Sequence, residues 1–137
     1  MQKSLVKEKS YAFALNVIEF CRLLTEQREF VLSKQLLRAG TSIGANIEEA
    51  LAGQSRADFI AKMSIASKEA RESNYWLRLF RDSKLSTLRQ LQPLLNESDA
   101  LINMLTAIVK TATTKQVTKV SGNEKTTQNA KPKTQNK

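Results

Sequence analysis

The sequence lacks histidine altogether and contains one cysteine, four glycines and two prolines among its 137 residues. Without histidine, it has neither the usual general base of hydrolytic enzymes nor the usual zinc ligand. A single cysteine, Cys21, cannot form a disulfide framework, so a reducing compartment such as the cytoplasm is expected. Because glycine, proline and aromatic residues are all scarce, the turns of an all-β protein are hard to place and helices are favoured.

Long apolar runs are also missing. No segment approaches the roughly 18 apolar residues of a membrane span, and residues 1–10 are too polar for a secretion signal. The residues present supply neither a nucleophile paired with a base nor a set of metal ligands. We therefore expect a soluble cytoplasmic protein that is not an enzyme and that uses no cofactor, metal ion, membrane or small-molecule substrate.

The net charge of +9 is concentrated near the end of the sequence. Residues 1–109 carry 15 Lys/Arg and 12 Asp/Glu, a net charge of +3. Residues 110–137 carry 7 lysines and 1 glutamate, a net charge of +6. A basic binding face on the first part must therefore depend on where its charges lie rather than on their number.

Four segments repeat apolar residues at alternating spacings of three and four, which is typical of amphipathic helices in a bundle. The first segment spans about Lys3 to Thr25, and the second covers Phe30 to Leu51. Ser55 and Asp58 form a capping signature that opens the third, and the fourth covers residues 88–109. Residues 1–112 are predicted to form one all-α, antiparallel up-down four-helix bundle.

The remaining residues, 113–137, are rich in Lys, Thr, Gln and Asn. Such a composition buries too little apolar surface to offset the entropy lost on ordering, so a disordered basic tail is predicted. Lysines in this region, including Lys110, Lys115 and Lys119, could follow a nucleic-acid backbone without reading bases. A purely solubilising tail is the equal alternative.

The fourth segment is apolar over an unusually wide arc. Leu94, Leu101 and Ile108 form a second stripe beside the main one, and we predict that this second stripe faces another subunit. Pro93 lies near the start of the segment and leaves two possibilities open. Either the helix kinks there, or it begins near Pro93 after a short turn.

Gly40 and Gly44 lie one turn apart in the second helix, where each glycine costs about 1 kcal/mol relative to alanine. Close packing against a neighbouring helix would offset this cost. The small residues Ala66 and Ala70 make the third helix the expected partner. A phosphate-cradling loop is the alternative, although the segment has neither the Lys-Ser/Thr ending nor the preceding strand of a P-loop.

Polar side chains of helices two and three are predicted to meet at the edge of the core. They are Asn46, Glu49, Glu72 and Asn74. Two facing carboxylates could begin a di-metal site, but the ferritin-like pattern also requires histidines. A hydrogen-bonded network that fixes helix register is the favoured interpretation.

Tyr75 and Trp76 lie among arginines on the third helix. Adjacent helical positions point about 100° apart, so the two rings cannot both be central in the core. We predict Trp76 at a subunit interface, with base stacking as the alternative. Arg78 and Arg81 are predicted to contact nucleic acid.

Several stretches of this sequence resemble the bacterial four-helix bundle proteins, also called 23S ribosomal RNA intervening-sequence proteins. The resemblance covers residues 3–112 and is carried by the stretches 30–38, 41–50 (Thr-Ser-Ile-Gly-Ala-Asn-Ile-Glu-Glu-Ala) and 72–77 (Glu-Ser-Asn-Tyr-Trp-Leu). It implies an antiparallel bundle assembled as a homopentamer without catalytic activity. A related accessory protein of diversity-generating retroelements, a weaker match, implies contact with nucleic acid and a partner protein.

The sequence therefore predicts an oligomeric bundle that binds RNA or a nucleic-acid-associated partner through basic residues. Association of several copies would multiply the charge of the tail, so that weak phosphate contacts act together. A purely structural or protein-interaction module, with no role in nucleic-acid binding, is the alternative.

Overall fold

The computed structural model describes the backbone of residues 2–130 and the side chains of residues 5–115. Its four helices are α1 (Gln2–Glu26), α2 (Val31–Leu51), α3 (Arg56–Ser83) and α4 (Leu91–Ala130). Each helix packs against the next in the chain, and α4 also packs against α1. The short connections make successive helices antiparallel. The predicted all-α, up-down four-helix bundle is confirmed.

The core is built from the apolar stripes of all four helices. Phe20 and Phe80 meet edge to face, with 5.9 Å between ring centroids. This geometry places the positive edge of one ring against the negative face of the other. The other large, fully buried side chains follow the predicted spacing of three and four along each helix. They are Phe13, Leu24, Leu36, Ile43, Ile47, Met63, Leu77, Leu94, Leu101 and Leu105.

The helix ends follow from local sequence signals. Ser55 caps α3, because its side-chain oxygen accepts a 3.0 Å hydrogen bond from the backbone N–H of Asp58, as predicted. Lys84 ends α3 in the left-handed conformation, with φ 60°. Pro93 lies in the first turn of α4, which begins at Leu91. A first-turn proline lacks an N–H that would have no partner within the helix, so α4 starts there rather than kinking.

The second apolar stripe of α4 faces inward. Leu94 and Leu101 are each 1% exposed, and Ile108 is 6% exposed. The prediction of a subunit interface at these three residues is therefore wrong. Like every helix of the bundle, α4 packs against two neighbours, α1 and α3, and the three residues lie on the arc that faces the core.

Helix α4 also extends beyond the predicted boundary at residue 112. Ala112 is 4% exposed and is the last buried residue among the side chains described. The helix nevertheless continues to Ala130, through a segment for which the sequence predicts disorder. Extending an existing helix requires no new nucleus, so polar residues can continue it without a core of their own. Residues 131–137 of the predicted tail lie outside the described residues.

The two helical glycines face α1 rather than the small-residue stripe of α3. A Cβ added at Gly40 would lie 2.9 Å from both methyl carbons of Val17, and one at Gly44 would lie 3.3 Å from Oγ of Ser10. Ala66 and Ala70 are buried in the core. The prediction of close packing is thus correct in kind but wrong in its partner. Because Gly40 and Gly44 lie within continuous α2, the phosphate-loop alternative is excluded.

We predict opposite outcomes for alanine at the two glycines. Gly40→Ala should lower the free energy of unfolding by about 1–2 kcal/mol, because the stiff Val17 side chain blocks the new methyl group and overpacking outweighs the gain in helix propensity. Gly44→Ala should change it by less than about 1 kcal/mol, since Ser10 has only to shift slightly. Denaturant unfolding measures both, and equal effects would contradict this packing.

Candidate nucleic-acid interface

One exposed face of α3 combines positive charge with an aromatic ring. Lys68, Arg71, Tyr75 and Arg78 follow one another at spacings of three, four and three residues. On a helix this spacing places side chains on one face, above one another. All four are exposed, and Tyr75 keeps 47% of its surface accessible. We call these four residues the α3 face.

Arg78 is held in position on this face. Its Nε donates a 2.8 Å hydrogen bond to Oδ1 of Asn74, and its guanidinium lies 5.7 Å from the centroid of the Tyr75 ring. A cation at this distance is attracted by the negative face of the ring. The Arg78 side chain therefore loses part of its conformational freedom before any ligand binds.

Asn74 connects this arrangement to α4. The residue is 8% exposed, and its Nδ2 donates to Oγ of Ser98 at 2.8 Å and to Oδ1 of Asp99 at 3.1 Å. Ser98 is fully buried and donates in turn to the backbone oxygen of Leu95. Because these groups satisfy one another, the amide of Asn74 joins α3 to α4 and orients Arg78 at the same time.

Helix α4 adds positive charge beside the α3 face. Arg71 donates a 2.8 Å hydrogen bond to Oγ1 of Thr106, and the exposed Lys110 lies one turn beyond Thr106 on the same side of α4. Lys115 is also exposed, but nine residues from Thr106 correspond to half a turn, so it points the opposite way. The side chain of Lys119 lies outside the described residues.

Arg81 does not belong to this face. Six residues separate it from Tyr75, a rotation of about 120° around the helix, and its Nε donates to Oδ1 of Asp82 at 2.7 Å. The hydrogen bond from Arg81 lowers the pKa of the Asp82 carboxyl. Of the two arginines predicted from the sequence, the structure places Arg78 on the α3 face. It places Arg81 beside Asp82, beyond the end of that face.

The four predicted polar residues do not form one network. Asn46 donates to the backbone oxygen of Ser42 in its own helix, and Glu49 forms a 2.8 Å ion pair with Lys62. Asn74 bonds toward α4, as described above. Each of these three side chains thus has a separate nearby partner.

Glu72 lies at the centre of a charged cluster that also joins α2 to α3. It accepts hydrogen bonds from Arg38 of α2 and, at 3.0 Å, from Nε1 of Trp76. Arg38 also contacts Glu69 at 3.2 Å. The hydrogen bond from Arg38 is the main cause, and that from Trp76 the second, of a lowered pKa of the Glu72 carboxyl. Trp76, predicted at a subunit interface, is half-buried with its indole N–H engaged within the chain.

A metal site, a membrane-spanning helix and a reactive thiol find little support in the part of the chain that the structure describes. No three Asp, Glu or Cys side chains there converge as metal ligands would, and no helix within that part is long and apolar enough to span a membrane. The Cys21 thiol is buried and donates to the backbone oxygen of Ser33. Burial raises its pKa to about 11, so the reactive thiolate is scarce at neutral pH.

Reasoning from the sequence placed Tyr75 among arginines with base stacking only as the alternative, and it missed Lys68 and the positioning of Arg78 by Asn74. The helical spacing of Lys68, Arg71, Tyr75 and Arg78 is visible in the sequence and was a usable signal. The contact between Asn74 and Ser98 is not visible in the sequence, because it depends on the register between α3 and α4.

Comparison with known proteins gives two findings. The model of the 23S rRNA-intervening sequence protein family matches residues 2–107. Among solved structures, a protein of unknown function from the S23 ribosomal protein family of Bacteroides thetaiotaomicron VPI-5482 is 48% identical, with a TM-score of 0.76. The match covers 80% of this chain and 99% of that chain. No curated protein matches.

The lowered pKa of Glu72 predicts a pH-dependent contribution to stability. A carboxyl with a lower pKa in the folded state stabilises the fold above its unfolded-state pKa, and this contribution is lost as the pH falls toward the folded-state value. Glu72→Gln should therefore be less stable than the native protein at neutral pH. The difference should be under about 1 kcal/mol, because the side chain is 35% exposed. Urea unfolding across acidic pH measures it. A difference that does not shrink as the pH falls below the unfolded-state pKa of a glutamate would contradict the assignment.

Proposed function

The chain belongs to the 23S rRNA-intervening sequence protein family, and from this premise we propose that it is a non-catalytic, self-associating bundle that binds RNA through the α3 face. The family expected from the sequence is confirmed. The solved relative has no established function, so the proposal draws on the surface of this chain and on the association of the family name with ribosomal RNA.

The observation that carries the proposal is the fixed arrangement of Arg78 over Tyr75. Arginine contacts phosphate oxygens through several N–H groups in one plane. An exposed tyrosine ring beside it can stack on an unpaired base, and stacking favours no particular base. Asn74 holds the arginine in place from inside the bundle, so binding orders fewer groups than it would on a surface of mobile lysines.

The expected ligand is single-stranded or locally unpaired RNA. Arg71, Arg78 and Lys110 would neutralise successive phosphates, while Tyr75 needs an unstacked base that only an unpaired region offers. Asp82 and Asp99 lie at one end of the surface and repel phosphate, which limits the contact to a few nucleotides per subunit. One such contact is weak. Association of several copies would raise the overall affinity by effective concentration.

A structural or protein-interaction module without nucleic-acid binding is the second candidate. The exposed apolar side chains of α1 and α2 favour it, because they suit a protein partner and not a phosphate backbone. The two candidates differ in what removal of the α3-face charges should do.

We predict that neutralising both arginines of the α3 face weakens RNA binding. The Arg71→Gln, Arg78→Gln variant should bind a labelled single-stranded RNA at least about tenfold more weakly than the native protein. The slope of log affinity against log salt should become shallower by roughly 0.7 for each phosphate that the variant no longer neutralises. Fluorescence anisotropy across a salt titration measures both quantities.

Arg89→Gln provides the control for the loss of one charge and is compared with Arg78→Gln alone, because Arg89 is exposed on the connection before α4 and is not part of the α3 face. It should reduce affinity much less than either arginine of the α3 face. Equal reductions for Arg89→Gln and Arg78→Gln would show that net charge alone drives binding. An absence of RNA binding by the native protein would favour the second candidate.

The segment after Lys115 is predicted to strengthen RNA binding without supporting the fold. Residues 116–137 contain 5 lysines and 1 glutamate, a net charge of +4. Truncation after Lys115 retains the buried Ala112, so the thermal midpoint should stay unchanged while affinity and salt dependence both decrease. Equal RNA retention by the intact and truncated proteins across a salt titration would remove any role for this segment.

A further inference from the structure

An apolar groove runs along the outside of α1 and α2, away from the α3 face. Tyr11, Leu15 and Ile18 form its α1 side at helical spacing, with exposures of 62%, 53% and 39%. Leu37 of α2 and Phe30, which directly precedes α2, continue the apolar surface at 38% and 56% exposure. We call this surface the α1–α2 groove.

The floor of the groove consists of small residues. Ala14, Thr41, Gly44 and Ala45 lie between the two apolar sides, in an open depression of about 390 Å³. Because Gly40 and Gly44 bring α1 and α2 close together, the groove between them is shallow. Side chains of a helix from another protein surface can pack into it. The shape therefore suits a protein surface better than a small enclosed ligand.

Charged residues lie at the edges of the groove and carry both signs. Glu48 borders it at one end, and Arg22 and Lys34 border it at the other. An apolar centre with a polar rim is the usual anatomy of a protein interface. A rim of mixed sign tolerates a second copy of the same chain, whereas a rim of one sign would repel it. It also disfavours nucleic acid, which requires excess positive charge.

The size of the exposed apolar surface agrees with a contact between copies. The accessible parts of its five large side chains amount to roughly 500 Å² per copy, which is at the upper end for an apolar patch on a monomer. Covering such a surface on one copy with an equal area of another removes about 1,000 Å², the lower limit for a specific interface. The polar residues 113–137 offer only Val117 and Val120 as large apolar side chains, too few to cover the groove themselves.

We infer that the α1–α2 groove is the surface through which copies of this chain associate. The inference specifies the self-association included in the proposed function, and it replaces the stripe of α4 that the sequence suggested. Contact through this groove leaves the α3 face, on the other side of the bundle, open to solvent in every copy.

The test introduces a charge at the centre of the groove. Leu15→Glu should leave the fold intact, because the side chain is half exposed on a helix surface, while burying a carboxylate in an apolar contact is unfavourable. The native protein should sediment as a multiple of the 15.4 kDa chain. The variant should raise the dissociation constant of the assembly at least tenfold and shift the mass toward one chain.

Leu85→Glu is the matched control, since Leu85 is comparably exposed at 47% but lies between α3 and α4, outside the groove. It should leave the mass unchanged, and circular dichroism should be the same for all three proteins. A monomeric native protein would overturn the inference, as would a folded Leu15→Glu variant that keeps the native mass. These outcomes do not depend on RNA binding. If Leu15→Glu lowers the mass of the assembly but the native protein does not bind RNA, the proposed function is wrong and the α1–α2 groove is still the interface.

Discussion

The close approach of α1 and α2 is the constraint on which the rest of the structure depends. At Gly40 the backbone of α2 comes so near to Val17 that there is no room for a methyl group. Glycine in a helix costs about 1 kcal/mol, and burial of the α1 stripe against α2 offsets that cost. The same approach creates the shallow floor between Tyr11, Leu15 and Leu37, so one packing requirement inside the bundle shapes the surface assigned to self-association.

A second internal contact sets the opposite surface. The buried amide of Asn74 bonds to Ser98 and Asp99 of α4 while its oxygen receives Arg78. A polar group inside a bundle must find partners or destabilise it. Here the partners also determine where a guanidinium lies relative to Tyr75. The proposed RNA contact is therefore built from the packing of α3 on α4 and does not depend on a mobile loop.

The sequence was sufficient for the fold, because helix periodicity and the Ser55 cap are local signals. It was insufficient wherever the answer depended on which helix lies beside which. The apolar stripes of α4 show their width in the sequence, but only the position of α4 between α1 and α3 explains why Leu101 and Ile108 are buried. Likewise, two glycines one turn apart indicate a close neighbour without showing that the neighbour is α1. The candidate site was found in part, since Arg78 was expected, whereas its connection to Asn74 and Ser98 required the register of two helices.

We propose that RNA contacts the α3 face and that the α1–α2 groove stays free for association of subunits. Nuclear magnetic resonance of arginine Nε–H groups during an RNA titration tests it most directly, because each guanidinium reports separately. The signals of Arg71 and Arg78 should shift in a saturable way, while those of Arg22 at the edge of the groove and Arg89 before α4 should not. Shifts of equal size at all four arginines, or shifts confined to Arg22, would contradict it.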